Sequence, residues 1–142
     1  MTLVSITRLR VRSWCYVPAF LIQAIRSVWQ AKSSEGNLVV SILQEARNTY
    51  WTRTVWVNEE AMKSYIVSGI HNQAMRSLLE WCDEAAVVHW EQEGAQPPIW
   101  EEAFHRLKKE GRPSKVNHPS NDHQTYQFPS PQVRLTGVLN FK

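Results

Sequence analysis

Two histidines and a nearby carboxylate are the side chains of this sequence best suited to moving a proton. His71 follows Ser68 and Gly69, a break in a helical pattern, and its ordinary pKa of about 6.5 suits a general base. His89 and Glu91 are two positions apart on a predicted strand, so their side chains share one face, roughly 7 Å apart. We predict His71 and His89 as catalytic candidates, with structural roles left open. The three groups could form an iron site, but their spacing does not make them converge, and we predict no metal site.

A second group of candidates consists of arginines on predicted strands. Arg8, Arg10 and Arg12 share one face of the first strand, and Arg53 lies on the third. A guanidinium group matches a carboxylate or phosphate with two parallel hydrogen bonds, so Arg10, Arg12 and Arg53 are candidates for binding an anionic ligand. The alternative is ion pairing with the acidic residues of segment 80–102, which the charge pattern favours.

Aromatic side chains are the third group. Four tryptophans could line a pocket for a flat hydrophobic molecule, or they could belong to the core or to an interface. These are Trp14, Trp51, Trp56 and Trp90.

Composition limits the class of protein to which these residues belong. The chain has 142 residues, 43% of them apolar, and a net charge of +3, which suits one folded domain. Its apolar run near the start, residues 14–22, is too short to span a membrane, and no nucleic-acid-binding motif accompanies the basic charge. Two widely separated cysteines favour free thiols in a reducing cytoplasm. We therefore predict a cytoplasmic protein without a membrane or nucleic-acid partner.

Hydrophobic periodicity predicts the elements that position these candidates. Pro18 begins the first helix, whose residues Leu21, Ile22, Ile25, Val28 and Trp29 form an apolar stripe, and Asn58 caps the second. The remaining predicted elements are strands 3–12, 37–46, 49–57 and 85–92, helices 71–81 and 99–110, and a weak strand at 132–139.

The order βαββαβ favours a ferredoxin-like α+β fold, an antiparallel sheet with helices on one face. We assign residues 1–112, which include a C-terminal helix, to this domain, and residues 113–142 to an extended Pro-rich tail. The second face of the sheet must also be buried. A second copy of the chain, packed sheet on sheet as a homodimer, is the predicted cover. Helix 99–110 or the tail is the alternative.

Several sequence strings carry a resemblance to a known superfamily. The run NEEAMKSYIVSGIHNQAM, just after Trp56, resembles the strand-to-helix segment of the dimeric α+β-barrel proteins. These include the antibiotic-biosynthesis monooxygenases and the haem-degrading monooxygenases. The strings RLRVRSW, WCDEAAVVHWEQ and GRPSKVNHPS are similar to those of an uncharacterised bacterial family in this superfamily, itself described as similar to spheroidene monooxygenase.

The resemblance implies a homodimer with a pocket between sheet and helices in each subunit, able to take a small organic molecule or haem. Haem-degrading members carry a Trp and a later His on the helix after the third strand. Tyr65 stands near the Trp position and Met75 near the His position, four residues after His71, so Tyr65 and Met75 join the ligand-binding candidates. The cofactor is open: none is required for cofactor-independent oxygenation, and haem is possible.

The function most consistent with these features is a monooxygenase-like protein that binds a small hydrophobic or aromatic molecule. A noncatalytic homodimeric binding or interaction protein is the alternative from another class, and a haem-binding protein is the third.

Overall fold

The computed structural model describes residues 1–46, 48–133 and 137–141, and the side chains of all of these except residues 69–72 and 74. Its strands are β1 (Thr2–Val11), β2 (Asn37–Glu45), β3 (Thr49–Trp56), β4 (Cys82–Gln92), β5 (Arg112–Pro113) and β6 (Val138–Asn140). Its helices are α1 (Val17–Ser33), α2 (Glu59–Ile66), α3 (Gly69–Trp81), α4 (Trp100–Glu110) and α5 (Asn121–Thr125), with a 3-10 turn at Trp14–Tyr16.

The strands form one antiparallel sheet in the order β5-β4-β1-β3-β2-β6. This arrangement confirms the predicted α+β fold with its βαββαβ order. Strand β4 begins at Cys82, directly after α3, and so starts earlier than predicted. The Cys82 amide donates the last hydrogen bond of α3 to the Leu78 carbonyl. Cys82 is also the first residue of β4 and pairs with Val11 of β1.

Alternation along the strands divides the sheet into two faces. On β1, Leu3 faces helices α1 and α2, whereas Val4 and Ile6 face α4. Because cross-strand partners share a face, this alternation extends through the register to the neighbouring strands. We call the two sides the α1–α3 face and the α4 face.

Helix α1 has apolar residues on two sides, and the structure buries a different side from the predicted stripe. Leu21, Ile22, Ile25 and Trp29 of that stripe are exposed, and only Val28 is buried. Phe20 and Ala31 join Val28 on the inner side. Small side chains on this inner side leave a space between the helix and the sheet.

The α4 face is covered by the chain itself, so the predicted cover by a second copy is wrong and the alternative holds. Helix α4 packs on this face through a buried stripe of four residues: Trp100, Ala103, Phe104 and Leu107. In the single chain, Val4, Ile6, Trp51, Val55 and Ala86 of this face are fully buried. Burying each such Val or Ile contributes about 1.5–3 kcal/mol, which explains why α4 docks here.

The segment after α4, predicted as an extended tail, is irregular for much of its length but is held against the domain. Tyr126 donates a hydrogen bond from its hydroxyl to the Leu107 carbonyl at 2.7 Å, and Phe128 packs against the same core. Strand β6 pairs with β2 at a sheet edge and shares residues 138 and 139 with the weak strand predicted at 132–139, of which residues 134–136 lie outside the described residues. The division of the chain at residue 112 stays a prediction.

Among the described residues, no helix is both long and apolar enough to cross a membrane.

Candidate functional site

A cavity of about 470 Å³ lies between the α1–α3 face of the sheet and helices α1, α2 and α3. Its size is within the roughly 300–1,000 Å³ typical of small-molecule sites. Apolar side chains from both layers form most of its wall. Those from the helices are Phe20, Ala24, Val28, Ala31, Met62, Ile66, Met75, Leu78 and Leu79, and those from the four long strands are Leu9, Val40, Ile42, Trp56, Ala85 and Val87.

The floor of the cavity carries hydroxyl groups from the two central strands. Ser5 and Thr54 are cross-strand partners, as are Thr7 and Thr52, and all four line the cavity. The Thr54 hydroxyl accepts a hydrogen bond from the Trp56 indole at 2.9 Å, which fixes the ring against the floor. The cavity therefore combines apolar walls with a central strip that can hydrogen-bond to a ligand.

Tyr65 closes one end of the cavity. Its ring centroid lies 5.3 Å from that of Trp56, and its hydroxyl donates to the Ser27 carbonyl of α1 at 3.0 Å. Burial raises the pKa of Tyr65 to about 12, so the phenol keeps its proton at neutral pH. Tyr65 can position a ligand and hold α1 to α2, but it is not a proton acceptor.

Among the described residues of the cavity wall, His89 is the side chain that can accept a proton near neutral pH. It lies on β4 opposite Ser5, and it is exposed towards the cavity. Desolvation lowers its pKa below the ordinary value; the charge of Arg112 lowers it further, and that of Glu59 partly opposes this. The imidazole is therefore neutral at pH 7 and has a free lone pair, as a general base requires.

The comparison with known proteins assigns a family to this chain. A family model described as a domain of unknown function, DUF3291, matches residues 23–127. The chain belongs to the DUF3291 family. No curated protein matches it.

The fold of this DUF3291 protein is shared with solved structures of low sequence identity. A candidate antibiotic biosynthesis monooxygenase from Nitrosomonas europaea is 16% identical with a TM-score of 0.59, over 65% of this chain and 90% of that one. The cofactor-independent oxygenase SnoaB from Streptomyces nogalater is 14% identical with a TM-score of 0.57, over 68% and 98%. Rv0793 from Mycobacterium tuberculosis is 11% identical with a TM-score of 0.60, over 66% and 97%. The predicted resemblance to antibiotic-biosynthesis-monooxygenase-like proteins is confirmed at the level of the fold.

The cavity of this DUF3291 protein brings together four of the predicted site residues: Trp56, Tyr65, Met75 and His89. His71 lies in α3, but its side chain is outside the described set, so its role stays a prediction. Within the described residues, no three His, Cys, Asp or Glu side chains form a group able to hold a metal ion.

The remaining predicted site residues lie away from the cavity. Trp51 and Trp90 belong to the core of the α4 face, and Trp14 is 76% exposed near the start of α1. Arg12 hydrogen-bonds to the carboxylate and the carbonyl of Glu80, at 2.6 Å each. None of these four lines the cavity.

Buried Arg8, half-buried Arg10 and buried Glu84 form a polar network on the α4 face. Arg8 and Arg10 donate to the two carboxylate oxygens of Glu84 at 2.6 and 3.0 Å, and Ser120 donates to one of them at 2.8 Å. Burial alone would raise the pKa of Glu84, but these hydrogen bonds and the two arginine charges outweigh it and lower the pKa. For Arg10, as for Arg12, the structure therefore contains the ion pairs favoured by the charge pattern.

Arg53 lies on the same face without a carboxylate partner among the described residues. Its guanidinium donates to the Pro98 carbonyl at 2.7 Å and to the Ser41 hydroxyl at 3.2 Å, and it stacks 4.3 Å from the Trp100 ring. Burial lowers its pKa. These contacts tie α4 and the segment before it to the sheet.

Several residues of the cavity were missed by sequence reasoning. Gln23 and Ser27 are polar residues four apart on the inner side of α1, and a polar pair on a buried side is a usable signal of a lined space. Arg112 and Lys115 follow α4 in the segment predicted as tail. They have no local signal, because only the pairing of β5 with β4 brings them to the cavity.

Proposed function

We propose that this protein binds a small hydrophobic or aromatic molecule in the cavity and oxidises it as a cofactor-independent, monooxygenase-like enzyme. The observation that carries the proposal is the cavity itself, a mostly apolar space with a neutral histidine in its wall. The fold shared with SnoaB, a cofactor-independent oxygenase, supports the reaction class.

The chemistry requires a substrate with an acidic C–H or O–H group. His89 takes this proton, the electron-rich substrate adds molecular oxygen, and the peroxide formed loses water to leave a carbonyl. For an activated methylene, one O₂ is consumed, one oxygen atom enters the product and the other leaves as water. The apolar walls hold the substrate and exclude bulk water during these steps.

An oxygen electrode with a panel of reduced polycyclic phenols and anthrones tests this mechanism. We expect His89→Gln to lower oxygen uptake by about 10²–10⁴-fold, the usual contribution of a general base. In the wild type, kcat/KM should rise with pH through a pKa below the ordinary histidine value of about 6.5, because desolvation and the charge of Arg112 lower the pKa of His89.

His105 provides a matched control for this experiment. It is an exposed histidine on α4, outside the cavity, so His105→Gln should leave oxygen uptake unchanged. If both variants keep full activity, His89 is not the base.

A noncatalytic binding protein is the alternative from another class, and ligand binding without oxygen uptake would favour it. Trp56 is a built-in reporter, because its ring lines the cavity. Quenching of tryptophan fluorescence by aromatic ligands, with no turnover in the oxygen electrode, is the result expected for this alternative.

Haem is the third possibility, and the cavity contains two side chains of the types that ligate its iron. His89 on β4 and Met75 on α3 both line the space. Bound haem would supply oxygen activation at its iron. A Soret band in the purified protein, lost in His89→Ala, would favour this reading over the cofactor-independent one.

The proposed protein is a homodimer located in the cytoplasm. A homodimer stays a prediction, and sheet-on-sheet packing is not available to it while α4 covers the second face. A cytoplasmic location is supported by the two free cysteines, of which Cys15 is exposed.

A further inference from the structure

One wall of the cavity is formed by residues 112–116, which we call the edge segment. It follows α4 and runs along the outer side of β4, where Arg112 pairs with Val87. The Ser114 amide donates to the Ala85 carbonyl at 2.8 Å, and the buried side chain of Val116 anchors the far end. The edge segment is therefore a fixed part of the cavity and not a loose flank.

The edge segment makes the rim of the cavity positively charged. Arg112 and Lys115 both line the cavity, and both are exposed. None of the side chains in this lining is acidic, within the part of the chain that the structure describes. Arg112 also lies close enough to His89 for its charge to lower the pKa of that histidine.

The two rim cations differ from the arginines of the first three strands, and Arg53 among these donates to the Pro98 carbonyl and the Ser41 hydroxyl. Arg8, Arg10 and Arg12 each have a carboxylate within ion-pair distance. Across the described residues, no such carboxylate lies near Arg112 or Lys115. Two cations beside an apolar cavity, with their hydrogen-bond donors uncommitted to the protein, suit an anionic group brought by a ligand.

We infer that the ligand of this cavity is an amphipathic carboxylate, with its apolar body between the sheet and the helices and its carboxylate held by Arg112 and Lys115. The inference rests on the proposed function, because it assigns a substrate class to the same cavity. The anion-binding role predicted for Arg10, Arg12 and Arg53 is thereby assigned to the edge segment instead. The planar guanidinium of Arg112 can bind both carboxylate oxygens, and Lys115 adds a second charge.

The test is calorimetric titration with 1-naphthaleneacetate and its uncharged analogue 1-naphthaleneacetamide. We expect the wild type to bind the acid at least threefold more tightly than the amide. Arg112→Gln should weaken binding of the acid about three- to tenfold, the range for a partly solvated charged pair, and leave the amide within twofold. The double variant with Lys115→Gln should weaken the acid further.

Arg26→Gln is the matched control, because Arg26 is exposed on α1 and does not line the cavity. It should leave both affinities within twofold, and melting curves should show all variants folded. Equal binding of acid and amide by the wild type would overturn the inference but leave the cavity proposal intact. A loss of amide affinity in Arg112→Gln as large as that for the acid would overturn it as well, since Arg112 would then act on shape. If neither molecule binds, the proposed cavity ligand fails, and this inference fails with it.

Discussion

The docking of α4 on the sheet can be tested by removing the same side chain at a buried and at an exposed helical position. Leu107 of α4 is 1% exposed and packs in the core of the α4 face. Leu21 of α1 is 37% exposed. Both are leucines within helices, so Leu107→Ala and Leu21→Ala change helix propensity equally and differ in the burial of the lost atoms.

The expected costs follow from that burial. A fully buried leucine replaced by alanine costs about 2–5 kcal/mol, because a cavity is left behind in addition to the lost transfer free energy. The substitution at Leu21 should cost about 1 kcal/mol or less, since part of its side chain is already in water. For a chain of this size, each kcal/mol lowers the melting temperature by roughly 2–4 °C. Leu107→Ala should therefore lower it by roughly 4–20 °C, and Leu21→Ala by no more than roughly 4 °C.

Urea unfolding followed by tryptophan fluorescence measures both free energies, and light scattering on the same samples measures the mass. Equal destabilisation by the two substitutions would refute the docking of α4. The α4 face would then be open, and a mass of two chains would restore the sheet-on-sheet homodimer predicted from the sequence.

Three further substitutions test contacts of the fold and the site. Glu84→Gln should destabilise the protein by about 3–5 kcal/mol at pH 7, because Arg8 loses the charge that offsets its burial. Since the folded pKa of Glu84 is lowered, the wild type should lose this stability as pH falls from about 4.5, and the variant should show a shallower acid slope in urea titrations. Tyr65→Phe should cost about 0.5–1.5 kcal/mol in thermal melts through its lost hydrogen bond. Gly111→Ala should cost about 1–3 kcal/mol, because its Cβ would clash with the Leu107 backbone carbonyl and lie 2.5 Å from the Tyr126 hydroxyl.

Local patterns in the sequence were sufficient for the elements and for part of the cavity. The predicted helix 99–110 matches α4, and the Asn58 side chain accepts the Ala61 amide at 2.9 Å as a helix cap. The resemblance placed Tyr65 and Met75 beside a pocket, and both line the cavity. Helix α4 and the Asn58 cap depend on residues close together in the chain, so spacing alone reveals them, whereas Tyr65 and Met75 came from the resemblance.

Spacing could not predict which side of a helix or strand faces the sheet or the cavity. Helix α1 is apolar on two sides, and periodicity cannot say which one meets the sheet. The strand arginines have the same difficulty. Arg8 and Arg10 lie on the same face of β1, as predicted. Only the register of β1 against β4, with Ser5 opposite His89, shows that this face points away from the cavity. Their charge left anion binding and ion pairing open, with ion pairing favoured, and their position on the α4 face places them against Glu84.

The segment after β4 determines how far the chemistry of the structural neighbours can be transferred to this protein. SnoaB is matched over nearly its whole length by about two thirds of this chain, so the rest of this chain has no counterpart there. The elements of the βαββαβ order end at Gln92, and the residues beyond it form α4 and the edge segment. The first of these covers the face that a partner would otherwise need to bury, and the second gives the cavity its positive rim. A ligand chosen by that rim would be selected by residues that follow the βαββαβ elements, so a shared fold is no guide to the substrate of this cavity.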